Sequence, residues 1–299
     1  MNTAQADKVR SGQGFFAALD QSGGSTPKAL AEYGVSRDQY HTEAEMFDLV
    51  HAMRTRVVTS PAFDGERVLA AILFLQTMER DVEGVPTAQY LWQSKSVVPF
   101  LKVDLGLAPE ESGVQLMKPI TTLDEELEKA RQHGVFGTKM RSVIHDAAEA
   151  GIAAIADQQF DYAGQIAAAG LVPIVEPEVL ITSPHKAECE SLLRDAIAKH
   201  VAAWTSDVPV MLKLTIPNEP GLYSEFAADP KVLRVLALSG GYSRDEACGL
   251  LAKDPSMIAS FSRALLAGLT DGQTDEEFNA TLESSIAQIT AASVNKTPA

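Results

Sequence analysis

Charged and hydroxyl side chains stand at the ends of apolar runs in this sequence, where packing alone gives them little reason to be. GFFAALD ends in Asp20, FLKVD carries Lys102, TKMRSV carries Lys139 and Arg141, and VPIVEPE carries Glu176 and Glu178. VPVMLKL holds Lys213, VLALS ends in Ser239, and MIASFSR contains Ser260 and ends in Arg263. An isolated lysine in an apolar strand is expensive to bury unless it is partnered. Lys139 and Arg141 are two residues apart, as are Glu176 and Glu178, so on extended strands each pair shares one face. Two cations and two carboxylates then project into one space, a set suited to moving protons and holding anions. Each residue alone has a plainer account: Lys213 as a strand-end lysine facing solvent, the paired residues as rim ion pairs, Asp20 as part of a helix-capping turn. Their recurrence on consecutive strands argues for a common site.

Two stretches look like anion cradles. Ser239-Gly240-Gly241 ends a strand just before a helix start marked by Ser243, Asp245 and Glu246, and glycines let backbone N–H groups approach a phosphate closely. Arg263 on the next strand can make a paired contact with phosphate oxygens. The second stretch is Ser22-Gly23-Gly24-Ser25, just past Asp20, to which Lys102 can bring charge. Flexible Gly/Ser turns would look the same one at a time. Two such sites across one lumen point to a substrate with phosphate at both ends. The six histidines are scattered with no i, i+4 pair, so no metal site is expected, and no organic cofactor motif is present.

Positioning these residues requires parallel strands whose ends converge. Strands are expected at 14–20, 68–75, 100–104, 137–144, 172–176, 208–214, 235–239 and 257–263. Amphipathic helices are expected at 42–58, 122–132, 146–169, 185–204, 243–252 and 275–291, with Thr122 and Glu125 forming a capping box. About eight alternations predict an α/β fold, a single (β/α)8 TIM barrel, with an open doubly wound sheet as the rival. No linker divides the chain, so residues 1–299 are expected to form one domain, with 295–299 a frayed tail.

Composition narrows the partners. The chain has 299 residues, 45% hydrophobic and 22% charged, with formal net charge −15, which disfavours nucleic acid but leaves room for a small anion held by local cations. Cys189 and Cys248 lack metal-site spacing and read as reduced thiols. MNTAQADKVRSGQG lacks the apolar segment of a signal peptide and no run is long enough to span a bilayer, so no membrane association and a cytoplasmic location are expected. Barrel helices are amphipathic with or without a second subunit, which leaves a homo-oligomer open.

The segments ALDQSGGS, FLKVDLG, TKMRSV, LVPIVEPEVL, ALSGG and SFSRAL, in this order, resemble those of class I fructose-bisphosphate aldolases, over most of the chain. The resemblance is to a bacterial-type branch, since the chain ends in KTPA without the C-terminal tyrosine of animal members. It implies a metal-independent carbon–carbon lyase acting through a lysine Schiff base on a phosphosugar, with Lys213 as nucleophile and Glu176 as acid/base. It further implies Asp20 as the residue that takes the C4 hydroxyl proton, with Lys139 and Glu178 tuning the charge. Ser239, Gly240, Gly241, Arg263 and Ser260 would hold one phosphate; Ser22, Ser25, Lys102 and Arg141 would hold the other. A Schiff-base lysine must give up its proton near neutral pH although free lysine titrates near ~10.4, and repulsion from Lys139 is the expected means. The alternatives are another Schiff-base barrel lyase or transaldolase, with one phosphate site, and a non-catalytic sugar-phosphate-binding barrel.

Overall fold

Short apolar runs alternating with helix-forming stretches can bury both strand faces in one way, as a parallel sheet inside a sleeve of helices. In the computed structural model, which describes residues 2–297, the runs form β1 (Phe15–Leu19), β2 (Val68–Leu73), β3 (Val98–Lys102) and β4 (Gly137–Ile144). They continue as β5 (Val172–Val179), β6 (Val210–Thr215), β7 (Val232–Leu238) and β8 (Ile258–Phe261). Neighbours pair in parallel in the order β3-β2-β1-β8-β7-β6-β5-β4, and β3 pairs back onto β4. The sheet is therefore closed, and the expected (β/α)8 barrel forms rather than an open doubly wound sheet. Phe16, Ala18, Ile72, Phe100, Ile174, Met211, Leu236 and Ile258 fill its interior. Ala6 and Val9 of the helix Thr3–Ser11, which the sequence reading did not anticipate, pack on the same inner cluster.

The helices expected at 42–58, 146–169, 185–204, 243–252 and 275–291 appear as Glu43–Thr59, Glu149–Ala168, Lys186–Ala203, Arg244–Leu251 and Asp275–Val294. Ser243 caps its helix through Glu246 as expected. Thr122 does not cap the helix Leu123–Gln132: its ψ of 11° turns the hydroxyl away from the first N–H groups, and Oγ1 instead donates to Glu126 Oε1 at 2.8 Å. The strand expected at 68–75 stops at Leu73, because Phe74 begins the helical turn Leu75–Met78. The tail expected to fray, 295–299, makes contacts with the barrel as far as it is described. Lys296 Nζ donates to the carbonyls of Leu251, Met257 and Ala292, and Thr297 N to that of Ala252, so the tail is tied to the barrel wall. Residues 298 and 299 lie outside the described residues.

Gly137 at the start of β4 faces the interior and leaves room for the Phe100 ring. A Cβ there would stand 2.2 Å from the Val172 carbonyl oxygen and 2.7 Å from Phe100 Cε1. Strand backbone cannot yield as a flexible side chain would. Gly137→Ala is expected to lower stability by roughly 1–3 kcal/mol or more, read as a lower urea midpoint with an unchanged slope.

Candidate active site

The inward faces of the strands carry apolar side chains low in the barrel and polar ones a single step higher. Ala18, Phe100, Ile174, Met211 and Ile258 belong to the inner apolar cluster, and the residues two positions on are Asp20, Lys102, Glu176, Lys213 and Ser260. Side chains alternate across a strand, so each of these points to the same interior, one layer nearer the C-terminal ends. Parallel-barrel chemistry is carried out at that face. Asp20, Ser239 and Arg263 lie just past their strands rather than within them.

Four buried charges occupy this layer. Lys139 Nζ is 2.6 Å from Asp20 Oδ2 and 2.9 Å from Glu176 Oε2, while Lys213 Nζ is 2.9 Å from Glu176 Oε1. Lys213, Glu176 and Lys139 are each no more than 4% exposed. Arg141 on β4 donates through Nε to Glu178 Oε2 at 2.5 Å, a layer higher. Lys102 donates to the Asp104 carbonyl and pairs with its carboxylate at 2.8 Å. Burial pushes the Asp20 carboxyl up, but Lys139, then Lys213, pull it further the other way, and it rests far below the ordinary carboxylate range. Burial likewise raises Glu176, and Lys139 and Lys213 together bring it below its usual value. Burial lowers Lys139, yet Asp20 and Glu176 hold it well above an ordinary ammonium. Lys139 is thus a fixed cation bridging two carboxylates.

The layer opens into a cavity of about 880 Å³ lined by all of these residues and by Ser22, Ser25, Ser239, Gly240, Ser260 and Arg263. Gly240 and Gly241 have φ of 59° and 113°, a backbone region that disfavours side chains, and a Cβ on Gly241 would stand 3.9 Å from Arg263 Nη2. The glycine turn and the arginine therefore stand side by side at the cavity wall. In the other cradle Ser25 Oγ donates to the Ser22 carbonyl and accepts from Ser22 N–H, so the plainer account, a self-bonded turn, describes its present state. Ser260 Oγ is buried without a partner. Among the described residues, no group of three or more His, Cys, Asp or Glu stands where it would hold a metal ion.

The family model for fructose-bisphosphate aldolase class-I matches residues 1–219. A curated relative from Synechocystis sp., named fructose-bisphosphate aldolase class 1, is 57% identical over 293 residues, which are 98% of each chain. The chain belongs to the class I fructose-bisphosphate aldolase family. Among solved structures, the fructose-bisphosphate aldolase of Plasmodium falciparum, crystallised with TRAP and a small-molecule inhibitor, superposes with a TM-score of 0.79. It is 22% identical to this chain, and the match covers 99% of this chain and 94% of that one. A Corynebacterium glutamicum protein matches at 0.55 with 15% identity over 97% of this chain and 92% of its own. Both share the barrel.

The charged layer also contains residues that the sequence reading did not single out. Asp104, 6% exposed, neutralises Lys102 and faces Lys139. Gln159, buried on the helix Glu149–Ala168, accepts the Glu176 N–H through Oε1 at 2.8 Å. β5 and β6 pair at Ile174 with Met211 and at Val175 with Leu212, and Gln159 takes up the next N–H. Asp104 was legible as the last residue of FLKVD, whereas a glutamine inside a helix carries no such signal.

Asp20 and Glu176, held below their ordinary values, add stability above the unfolded carboxylate range of ~4 and lose it as pH falls. Lys139, held above, adds stability below ~10.4 and loses it only as pH climbs through its raised value. Removing the cation reverses the acid side of this behaviour. Lys139→Met is expected to cost about 3–5 kcal/mol at pH 7 by leaving Asp20 unpaired and Glu176 with Lys213 as its one partner. The deficit relative to the native protein should shrink near pH 5, as one of the two carboxylates takes a proton. Equal deficits at both pH values in urea unfolding would rule this out.

Proposed function

We propose that the chain is a carbon–carbon lyase that reversibly cleaves fructose 1,6-bisphosphate to dihydroxyacetone phosphate and glyceraldehyde 3-phosphate. The reaction runs through a Schiff base on Lys213, without a metal, as a step of sugar breakdown and synthesis in the cytoplasm. The observation that carries this reading is the Lys213 amine set 2.9 Å from Glu176 in a nearly dry layer beneath the cavity. Cavity cations agree with a doubly anionic substrate: seven lysine and arginine side chains line it against five carboxylates, in a chain of net charge −15.

In the proposed sequence Glu176 accepts a proton from the Lys213 ammonium, and the freed amine attacks the ketone carbon. The alkoxide so formed takes a proton from the attacking nitrogen, and Glu176 returns its own proton to the resulting carbinolamine hydroxyl, which leaves as water. The resulting iminium carries the positive charge that the ammonium carried before. Asp20 takes the proton of the C4 hydroxyl while the C3–C4 bond breaks and its electron pair moves to the iminium, leaving an enamine and a free aldehyde. Lys139 keeps Asp20 and Glu176 ionised between these steps. Ser239, Gly240, Gly241, Ser260 and Arg263 hold the ketone-side phosphate; Ser22, Ser25, Lys102 and Arg141, set in place by Glu178, receive the other.

Incubation with dihydroxyacetone phosphate and borohydride should attach the reduced substrate to Lys213, located by peptide mass spectrometry. Lys213→Met should abolish labelling and lower kcat by roughly 10⁴-fold or more. EDTA should leave turnover unchanged. Loss of activity on chelation, or labelling at another lysine, would sink the reading.

A further inference from the structure

Arg54 is the largest fully buried side chain among the described residues, 1% exposed on the helix Glu43–Thr59, and it makes no ion pair. A guanidinium without a carboxylate partner in such a place is costly and needs its donors engaged. Nη1 donates to Thr77 Oγ1 at 2.6 Å, and Nη2 donates to the Gln21 carbonyl at 2.5 Å and faces Gln21 Oε1 at 3.3 Å. Burial pushes Arg54 down to about 10, and the Asp20 charge works against that. The Gln21 amide, fixed on its oxygen side, donates from Nε2 to Ser262 Oγ at 2.5 Å. Ser262 sits at the N-terminal end of the turn Arg263–Leu266 but makes no capping bond with its hydroxyl, which leaves that oxygen to Gln21.

The location gives this chain of contacts its meaning. Backbone pairing between β1 and β8 consists of Phe16 with Ser260 and Ala17 with Phe261, and goes no higher. Asp20 and Ser22 on one side, and Arg263 on the other, lie beyond the last rung. Thr77–Arg54–Gln21–Ser262 continues the seam where the ladder stops.

We propose that Arg54, acting through Gln21 and Ser262, is a positioning residue that fixes the separation of the two phosphate-holding loops and so sets the preference for a substrate phosphorylated at both ends. The inference rests on the assignment of the two loops under the proposed function.

The test compares fructose 1,6-bisphosphate with fructose 1-phosphate as substrates for Gln21→Ala, Ser262→Ala, the double variant, Arg54→Met and Arg54→Lys. Each single variant at positions 21 and 262 should lower the ratio of kcat/KM values, bisphosphate over monophosphate, about tenfold. The double variant should fall no further than either single one, because one link is being cut twice. Arg54→Lys should recover part of the ratio lost in Arg54→Met, since an ammonium keeps one of the contacts. Borohydride trapping of dihydroxyacetone phosphate at Lys213, which needs only the ketone-side half, should persist in Gln21→Ala and Ser262→Ala. If both substrates lose equally, if effects at 21 and 262 add, or if trapping falls with cleavage, the seam is only structural and the inference is overturned. If native protein neither traps nor prefers the bisphosphate, the functional reading fails and the inference with it.

Discussion

Two ammonium groups and two carboxylates occupy a layer of the barrel from which water is nearly excluded, and none of the four would be tolerable alone. Taking an isolated ion out of water costs several kcal/mol even after relaxation. Lys139 touches Asp20 and Glu176, and Glu176 touches Lys213, so the charges alternate and the set is neutral. That neutrality bears on the proposed chemistry. An iminium on Lys213 carries the same charge at nearly the same point as the resting ammonium, so a site balanced for one is balanced for the other. The dipoles need little rearrangement when the Schiff base forms, which is the sense in which an enzyme site is preorganised.

The register of β4 against β5 explains how each carboxylate gains its partner. Lys139 lies opposite Ile174 and Arg141 opposite Glu176 in the ladder. The contacts run one layer higher: Lys139 reaches Glu176 and Arg141 reaches Glu178. Long cationic side chains lean along the strand and shorter acids stand upright, so a two-residue offset makes two ion pairs from two K-x-R and E-x-E spacings. The upper pair holds Arg141 at the rim, partly exposed; the lower pair lies deeper, at the floor of the cavity. One local pattern thus yields a buried ion network and one at the rim.

Much of this was legible in the sequence because alternation is a local property. An apolar residue two positions before each of Lys102, Glu176 and Lys213 fixes their face without any knowledge of the fold, and the recurrence across segments fixes the barrel. What was not legible depends on contacts between elements far apart in the chain. Arg54 reads as one more polar residue of an amphipathic helix, and only the packed structure places it behind Gln21. Gln159 reads the same way until the β5–β6 ladder is seen to end at Val175. Thr122 matches a capping box in residue type, but the pattern cannot report the backbone angle that turns its hydroxyl to Glu126. The tail residues after Val294 read as polar and frayed, and the three carbonyls that hold Lys296 come from segments the pattern does not connect.

The expected repulsion between Lys139 and Lys213 takes a different form in the structure. Glu176 stands between them and gives each lysine one of its two oxygens. A carboxylate so shared is drawn below its usual pKa, which on its own would make it a poor proton acceptor from Lys213. In the proposed reaction the two phosphates of the substrate add negative charge near the layer. Every increment of negative potential raises the basicity of Glu176 and of Asp20 alike. In the proposed reaction this favours uptake of the C4 hydroxyl proton by Asp20, while transfer from Lys213 to Glu176, two groups in the same potential, rests on their 2.9 Å contact.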